Sequence, residues 1–169
     1  MNRRSGTGEN PGGGSMTSLW DRPGYLVRRL HQIHVALFLD ECAEFKITPV
    51  QYAVMTTLLN RPGADQINIA QDAGIDRTNV SDVLARLEQR GLVTRATSAE
   101  DRRQRVAHLT NHGDYIARKM ETASLAAQSK LIEPLTEGKR KQLMLLMTEL
   151  VESNNEYSRA PARKCPQAE

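Results

Sequence analysis

Residues 74–93 read GIDRTNVSDVLARLEQRGLV, and their reading decides the fold. Gly74 suits a helix stop, and Asp76 can accept a hydrogen bond from the first free amides of the helix that follows. Val80, Val83, Leu84 and Leu87 then recur at helical spacing and form one apolar face. Arg77, Thr78, Asn79, Ser81, Asp82 and Arg86 fall on the other, and Gly91 ends the run. A shorter amphipathic stretch from Asp65 to Ala73 precedes it, joined through Gly74-Ile75-Asp76. Two short helices about such a turn make a helix-turn-helix, with the second helix as the reader. Short hydrogen-bonding side chains near the reader's N-terminus can meet base edges in a major groove, while arginine holds phosphate.

Outward from this centre the pattern stays regular. Leu92–Ala96 and Arg105–Leu109 carry β-branched residues and flank a polar tip, so they predict a hairpin. Its Arg102, Arg103 and Arg105 can reach an adjacent minor groove. Thr110 caps a long helix over about 111–133, which breaks near Pro134. Thr136 starts a last helix with the stripe Leu143, Leu146, Met147 and Leu150. Upstream, Thr48-Pro49-Val50-Gln51 opens a helix with a capping box, and Arg61-Pro62-Gly63 closes it. The first helix lies between Gly24 and Phe45 on a stripe of Leu26, Leu30, Ile33 and Leu37. The predicted order is α-α-α-α-β-β-α-α.

At 169 residues with 39% hydrophobic content, the chain is long enough for one real core and too apolar for general disorder. The longest apolar runs are like Val35–Leu39, too short for a bilayer, and no signal-peptide core follows Arg3 and Arg4. A cytoplasmic protein without membrane contact is expected. The formal charge is +3, but its distribution says more. The termini account for it, leaving the body neutral, whereas residues 77–105 hold seven Arg against Asp82, Glu88, Glu100 and Asp101. One basic segment in a neutral body points to a local anion-binding surface rather than a basic coat. A solvated charged hairpin is the plainer alternative. Cys42 and Cys165 make no disulfide framework, and the Gly-rich stretch 6–14 follows no strand and opens no helix. No nucleophile–base constellation and no cofactor fingerprint is present, so neither an enzyme nor a cofactor is expected.

The reader stretch, the Arg90-Gly91-Leu92-Val93 entry to the hairpin, Asp101-Arg102-Arg103 and Leu109-Thr110-Asn111-His112-Gly113 together resemble the MarR family of winged helix-turn-helix regulators. The resemblance covers about residues 24–153. Ala73 departs from it, being small where the family more often has a bulky residue before the glycine. The fold it implies is mainly α with a small β-wing: a winged helix-turn-helix core plus N- and C-terminal dimerisation helices. The expected division is a flexible leader over 1–18, a dimerisation and effector helix over 19–47, the DNA-binding lobe over 48–110, C-terminal dimerisation helices over 111–155 and a flexible tail over 156–169. The resemblance further implies a homodimer on a double-stranded, pseudo-palindromic operator, with repression as the default. It implies that Asp101 orients the guanidinium of Arg103 in the minor groove. The tail, by contrast, is expected to matter little, so that Arg159 contributes far less than Arg103.

The stretch Arg28-Arg29-Leu30-His31-Gln32-Ile33-His34 also resembles members that respond to aromatic carboxylates, which implies control of aromatic compound catabolism. An aromatic acid needs an apolar slot with a cationic or hydrogen-bonding partner. His31 or His34 can supply that partner, Tyr52 a hydroxyl, and Arg28 and Arg118 are further candidates; histidines that merely pack are the plainer reading. Metal sensing could draw on His31, His34, Cys42, His108 and His112, but the last two straddle a strand end and a helix start, and no metal site is assigned. Redox sensing would rest on Cys42, which reads better as a buried inert thiol. A helical protein-interaction module would explain the long terminal helices but not the basic hairpin.

Overall fold

The computed structural model describes residues 17–162, and the chain divides into two compact units, residues 1–32 and 33–169. The leader expected over 1–18 lies outside the described residues except for Thr17 and Ser18, as do residues 163–169 of the tail with Cys165. In the first unit Ser18 caps a 3-10 turn over Leu19–Asp21, and helix α1 (Pro23–Glu41) begins. Trp20 meets Tyr25 edge-on with ring centroids 5.4 Å apart, and the Arg28 guanidinium lies 5.6 Å from the Tyr25 centroid.

In the second unit the helix-turn-helix closes as its caps dictate. Helix α2 (Pro49–Asn60) starts at a complete capping box: Thr48 Oγ1 accepts from the Gln51 amide, and Gln51 Oε1 accepts from the Thr48 amide. Helix α3 (Gln66–Ala73) is capped by Asp65 and stopped by Gly74 in the left-handed region. Helix α4 (Arg77–Gln89), the predicted reader, is capped by Asp76 and buries Val80, Leu84 and Leu87. Its end is a Schellman motif: Gly91 has φ +68°, its amide bonds to Glu88 O at 2.9 Å, and the Leu92 amide bonds to Leu87 O at 3.0 Å. Those two bonds keep Leu92 with the helix end, so the wing strand β2 is Val93–Thr97, one residue later than predicted.

Strand β2 pairs with β3 (Arg105–Leu109) as expected, from Val93 opposite Leu109 to Thr97 opposite Arg105. A third strand was not anticipated. Residues Ala64 and Asp65 form β1 and pair with Ala107 and Val106, giving a three-stranded antiparallel sheet in the order β1-β3-β2. Two residues are too few to carry a period, so only the pairing partner reveals them.

Helix α5 (Asn111–Ile132) is capped by Thr110 and α6 (Glu137–Ser153) follows. The wing and α5 meet at one tight junction. Thr110 Oγ1 donates to Gly91 O at 2.7 Å and accepts from the Gly113 amide at 3.0 Å, while the Thr110 amide donates to Leu92 O at 3.0 Å. Gly113 is buried there, with space for no side chain.

Two further boundaries differ from expectation. Helix α1 ends at Glu41 rather than running to Phe45, because residues 43–45 tighten into a 3-10 turn that Lys46 closes at φ 52°. The tail expected to be flexible from 156 instead forms a 3-10 turn over Asn155–Tyr157 and buries Ala160, as far as Ala162. The main core gathers Phe38, Ile47, Val54, Met55, Leu58, Ile69, Val80, Leu84, Leu87, Leu92 and Met120. Among the described residues, no helix is long and apolar enough to cross a membrane.

Candidate functional site

Two surfaces can do chemistry, an exposed basic face and a cavity. On the first, all ten of the predicted DNA contacts are solvent-exposed: Arg77, Thr78, Asn79, Ser81, Asp82 and Arg86 on α4, and Asp101, Arg102, Arg103 and Arg105 on the wing. Asp76 Oδ1 accepts from both the amide and the hydroxyl of Thr78, at 3.2 and 3.1 Å. Those bonds, the amide first, hold the Asp76 carboxyl below its ordinary value.

The helix and the wing converge on a cleft of about 250 Å³, lined by Arg77, Arg103 and Arg105 with Asp65, Gln66, Ile67 and Gln104. Three guanidiniums therefore surround one space with a single carboxylate, and that carboxylate is fully employed. Asp65 Oδ1 accepts from the Asn68 amide at 2.7 Å, and Oδ2 accepts from the Gln104 side-chain amide. Such a cleft can seat an anion such as a backbone phosphate.

The Asp101 carboxylate accepts from the backbone amide of Arg103 at 2.9 Å, a bond that shapes the turn carrying that arginine. Ser98 completes that tip by accepting from the Glu100 and Asp101 amides, and Arg103 is aimed by the backbone it sits on. The charge count over 77–105 also included two arginines with structural employment. Arg90 donates to Lys46 O at 2.6 Å and Phe45 O at 2.9 Å, tying the end of α4 to the segment before α2. Arg95 on β2 binds Glu88 on α4 through Nε at 2.9 Å and through Nη2, which holds the Glu88 carboxyl below its ordinary value. Neither role is visible in a net charge.

The cavity encloses about 820 Å³ within the second unit. The second half of α1 contributes His34 and Phe38, α2 contributes Tyr52 and Thr56, α3 contributes Asp72, and α5 contributes Ser124 and Gln128. Arg61 and Ala162 complete the wall. His34, Phe38 and Tyr52 form an aromatic row with successive centroids 6.3 and 5.8 Å apart. The Gln128 side-chain nitrogen lies 3.0 Å from His34 Nε2, a contact in which the amide donates and the ring accepts. Burial pushes the Tyr52 phenol above its ordinary value, so its hydroxyl stays a neutral donor. Thr56 Oγ1 is buried beside that phenol and tempers the rise. Arg61 Nε pairs with Asp72 Oδ2 at 3.0 Å across the wall.

Of the five residues assigned to an effector, the structure thus brings His34 and Tyr52 into one cavity wall. Arg118 is instead paired with Asp114 on its own helix, at 2.8 and 3.0 Å, and does not line the cavity. Arg28 and His31 belong to the first unit, where Arg28 covers Tyr25. Sequence reasoning missed Arg61, Thr56, Ser124 and Gln128, which come from two distant segments, the end of α2 and the middle of α5, and share no motif. Cys42 is buried, and burial foremost, then Glu41 and Glu44, push its thiol upward, away from the thiolate a redox sensor needs. Among the described residues, no group of three or more His, Cys, Asp or Glu side chains is placed to hold a metal ion.

Comparison with known proteins follows the same lines. The model of the MarR family matches residues 47–104. The transcriptional regulator HosA of Escherichia coli O157:H7 is 34% identical over 99 residues, which are 59% of this chain and 72% of that protein. The structure resembles the PcaV transcriptional regulator from Streptomyces coelicolor in complex with its natural ligand, at a TM-score of 0.75 and 28% identity over 82% of this chain and 98% of that one. It also resembles the transcriptional repressor CouR bound to a 23-mer DNA duplex, at a TM-score of 0.73 and 30% identity over 81% of this chain and 97% of that one.

Proposed function

The chain belongs to the MarR family and is a MarR-type transcriptional regulator, and from that premise we propose that it is a homodimeric repressor of an aromatic-acid catabolic operon, released from a pseudo-palindromic operator by a small aromatic carboxylate. One observation carries the ligand half of this reading: an aromatic-walled cavity shares α2 and α3 with the reader lobe and α5 with the helices that leave it. The His34–Phe38–Tyr52 row suits a flat ring, His34 or Arg61 a carboxylate, and Tyr52 with Thr56 Oγ1 a ring hydroxyl. On the DNA half, α4 enters the major groove and the wing the flanking minor groove, with the Arg77, Arg103 and Arg105 cleft on phosphate. The ligand complex of PcaV and the DNA complex of CouR support both halves by analogy.

The N-terminal helix and α6 supply the dimer contacts. Among the described residues none of α6 is buried, and Leu146, Leu150 and Val151 are half or more exposed. A helix that carries such a stripe needs a covering surface. Release follows if the acid binds the DNA-incompetent arrangement more tightly, and a coupling of about 1–3 kcal/mol lowers operator affinity about 5- to 150-fold.

The test is titration of DNA from the gene's own promoter with and without benzoate-, hydroxybenzoate- and nicotinate-type acids, on the wild type and His34→Ala. The expected outcome is release of the wild type by at least one acid, with His34→Ala binding DNA normally but responding weakly. If no acid shifts the wild-type curve while zinc or peroxide does, the aromatic-acid reading is wrong.

A further inference from the structure

We propose that Arg159, carried by the segment after α6, is a DNA-phosphate contact at the N-terminus of the reader helix. The inference rests on α4 being that reader. Sequence reasoning gave this residue far less weight than Arg103, but the chain after α6 turns back and is clamped. Asn155 Nδ2 donates to Ala162 O, and the Ala162 amide donates to Asn155 Oδ1, both at 2.8 Å, closing a loop around residues 156–161. Within it Ser158 Oγ accepts from the Ala160 amide at 3.2 Å, and Ala160 is only 8% exposed. The backbone that carries Arg159 is therefore fixed from both sides.

Its side chain does the opposite. It is 88% exposed, and Nη1 reaches Asp76 Oδ2 at 3.4 Å. Asp76 is the N-cap of α4, directly before Arg77, Thr78 and Asn79. A reader helix presents its N-terminal residues to DNA, so a guanidinium held there stands at the edge of the DNA-facing surface. An exposed ion pair at this distance adds little to folding stability. Most of the five guanidinium donors remain available for phosphate oxygens. The Asp76 carboxylate would otherwise repel an approaching phosphate, and Arg159 cancels that charge before adding its own contact. A contact of this kind is sequence-independent and reads as salt dependence.

The experiment measures binding to a random-sequence duplex between 50 and 200 mM salt, for the full chain and for Arg159→Ala, Arg159→Lys, Asp76→Asn, the double variant Asp76→Asn/Arg159→Ala, and Arg103→Ala. With a slope of about 0.9 per phosphate contact, one contact accounts for about 3.5-fold of the affinity lost over that fourfold rise in salt. Arg159→Ala is expected to shrink the loss by about that factor per protomer, and Arg159→Lys to keep the wild-type slope. Asparagine caps as well as aspartate, so Asp76→Asn keeps the reader helix, and the Arg159→Ala effect should persist in that background. A wild-type slope for Arg159→Ala beside a reduced one for Arg103→Ala overturns this proposal alone. An Arg159→Ala effect that vanishes in the Asp76→Asn background overturns it too, because Arg159 would then act only through Asp76. If neither arginine changes the slope, the reading of this face as a DNA surface falls as well.

Discussion

Replacing Gly113 with Ala sets two opposing effects against each other, and the structure decides the sign. In an exposed helix interior the change gains about 1 kcal/mol from propensity. At Gly113 an added Cβ would stand 2.0 Å from Leu92 O, 2.9 Å from its carbonyl carbon and 3.2 Å from its Cα. A carbon normally approaches a carbonyl oxygen no closer than about 3.3 Å, so backbone must part from backbone by roughly 1.3 Å. The contact cannot be relieved by a rotamer. Parting α5 from the wing stretches the two bonds that join them, from the Thr110 amide to Leu92 O and from Thr110 Oγ1 to Gly91 O. At about 1 kcal/mol each, both bonds weaken, and overpacking adds about 1–3 kcal/mol. The net expectation is a loss of about 2–4 kcal/mol, or roughly 4–16 °C in Tm for a chain of this size. Urea denaturation with the far-ultraviolet circular dichroism signal measures it. Gly138→Ala is the control, since nothing lies within 4 Å of the added atom on α6, and its stability should hold or rise. A Gly113→Ala protein as stable as the wild type would refute the reasoning, because the junction would then have slack that the structure denies.

Three further outcomes are expected. Sedimentation at micromolar concentration should give a dimer, and Leu150→Lys should shift it toward monomer by charging the exposed α6 stripe. Arg61→Gln should weaken thermal stabilisation by an aromatic carboxylate more than by the matching neutral amide, since only the acid needs the guanidinium that Asp72 now holds. Glu88 has a folded-state carboxyl below its ordinary value, with the Arg95 hydrogen bond as the largest cause. Its stabilisation is therefore complete above the unfolded value and lost as pH falls through the lower folded one. Glu88→Gln should flatten that acid limb in urea melts recorded across the acid range, and an unchanged limb would remove the Arg95 pair from the account.

Where a residue's task is local, the sequence states it. Thr48, Asp76 and Thr110 all cap the helices they were expected to cap, because a cap bonds amides two or three positions away. Gly74 and Gly91 close theirs for the same reason. The winged helix-turn-helix followed from those signals and the apolar periods between them. What escaped is everything set by distant partners. Strand β1 exists only because Ala64 and Asp65 find Ala107 and Val106. Arg90 looked like part of a basic patch until its guanidinium was seen on Lys46 O, 44 positions away. His34 and Tyr52 were nameable as polar groups on apolar helices, whereas Arg61 beside Asp72 gave no pattern at all. The clamp that Asn155 and Ala162 close around residues 156–161 likewise left no mark in composition.

One carboxylate has a mechanical consequence. Asp65 holds the first turn of α3 with one oxygen and the wing's Gln104 with the other, while β1 pairs the same residue into the sheet. Glu88 and Arg95 tie the reader itself to the wing. The span from helix to wing tip then behaves as a single jaw of fixed gape. A small molecule has little leverage over how one jaw fits its own stretch of duplex. In the homodimer proposed above, what it can alter is the separation between two jaws, as the opening of a calliper is set at its hinge and not at its points. Operators should accordingly tolerate no variation in the groove offset within a half-site, and all of the ligand response should lie in the tolerance for half-site spacing.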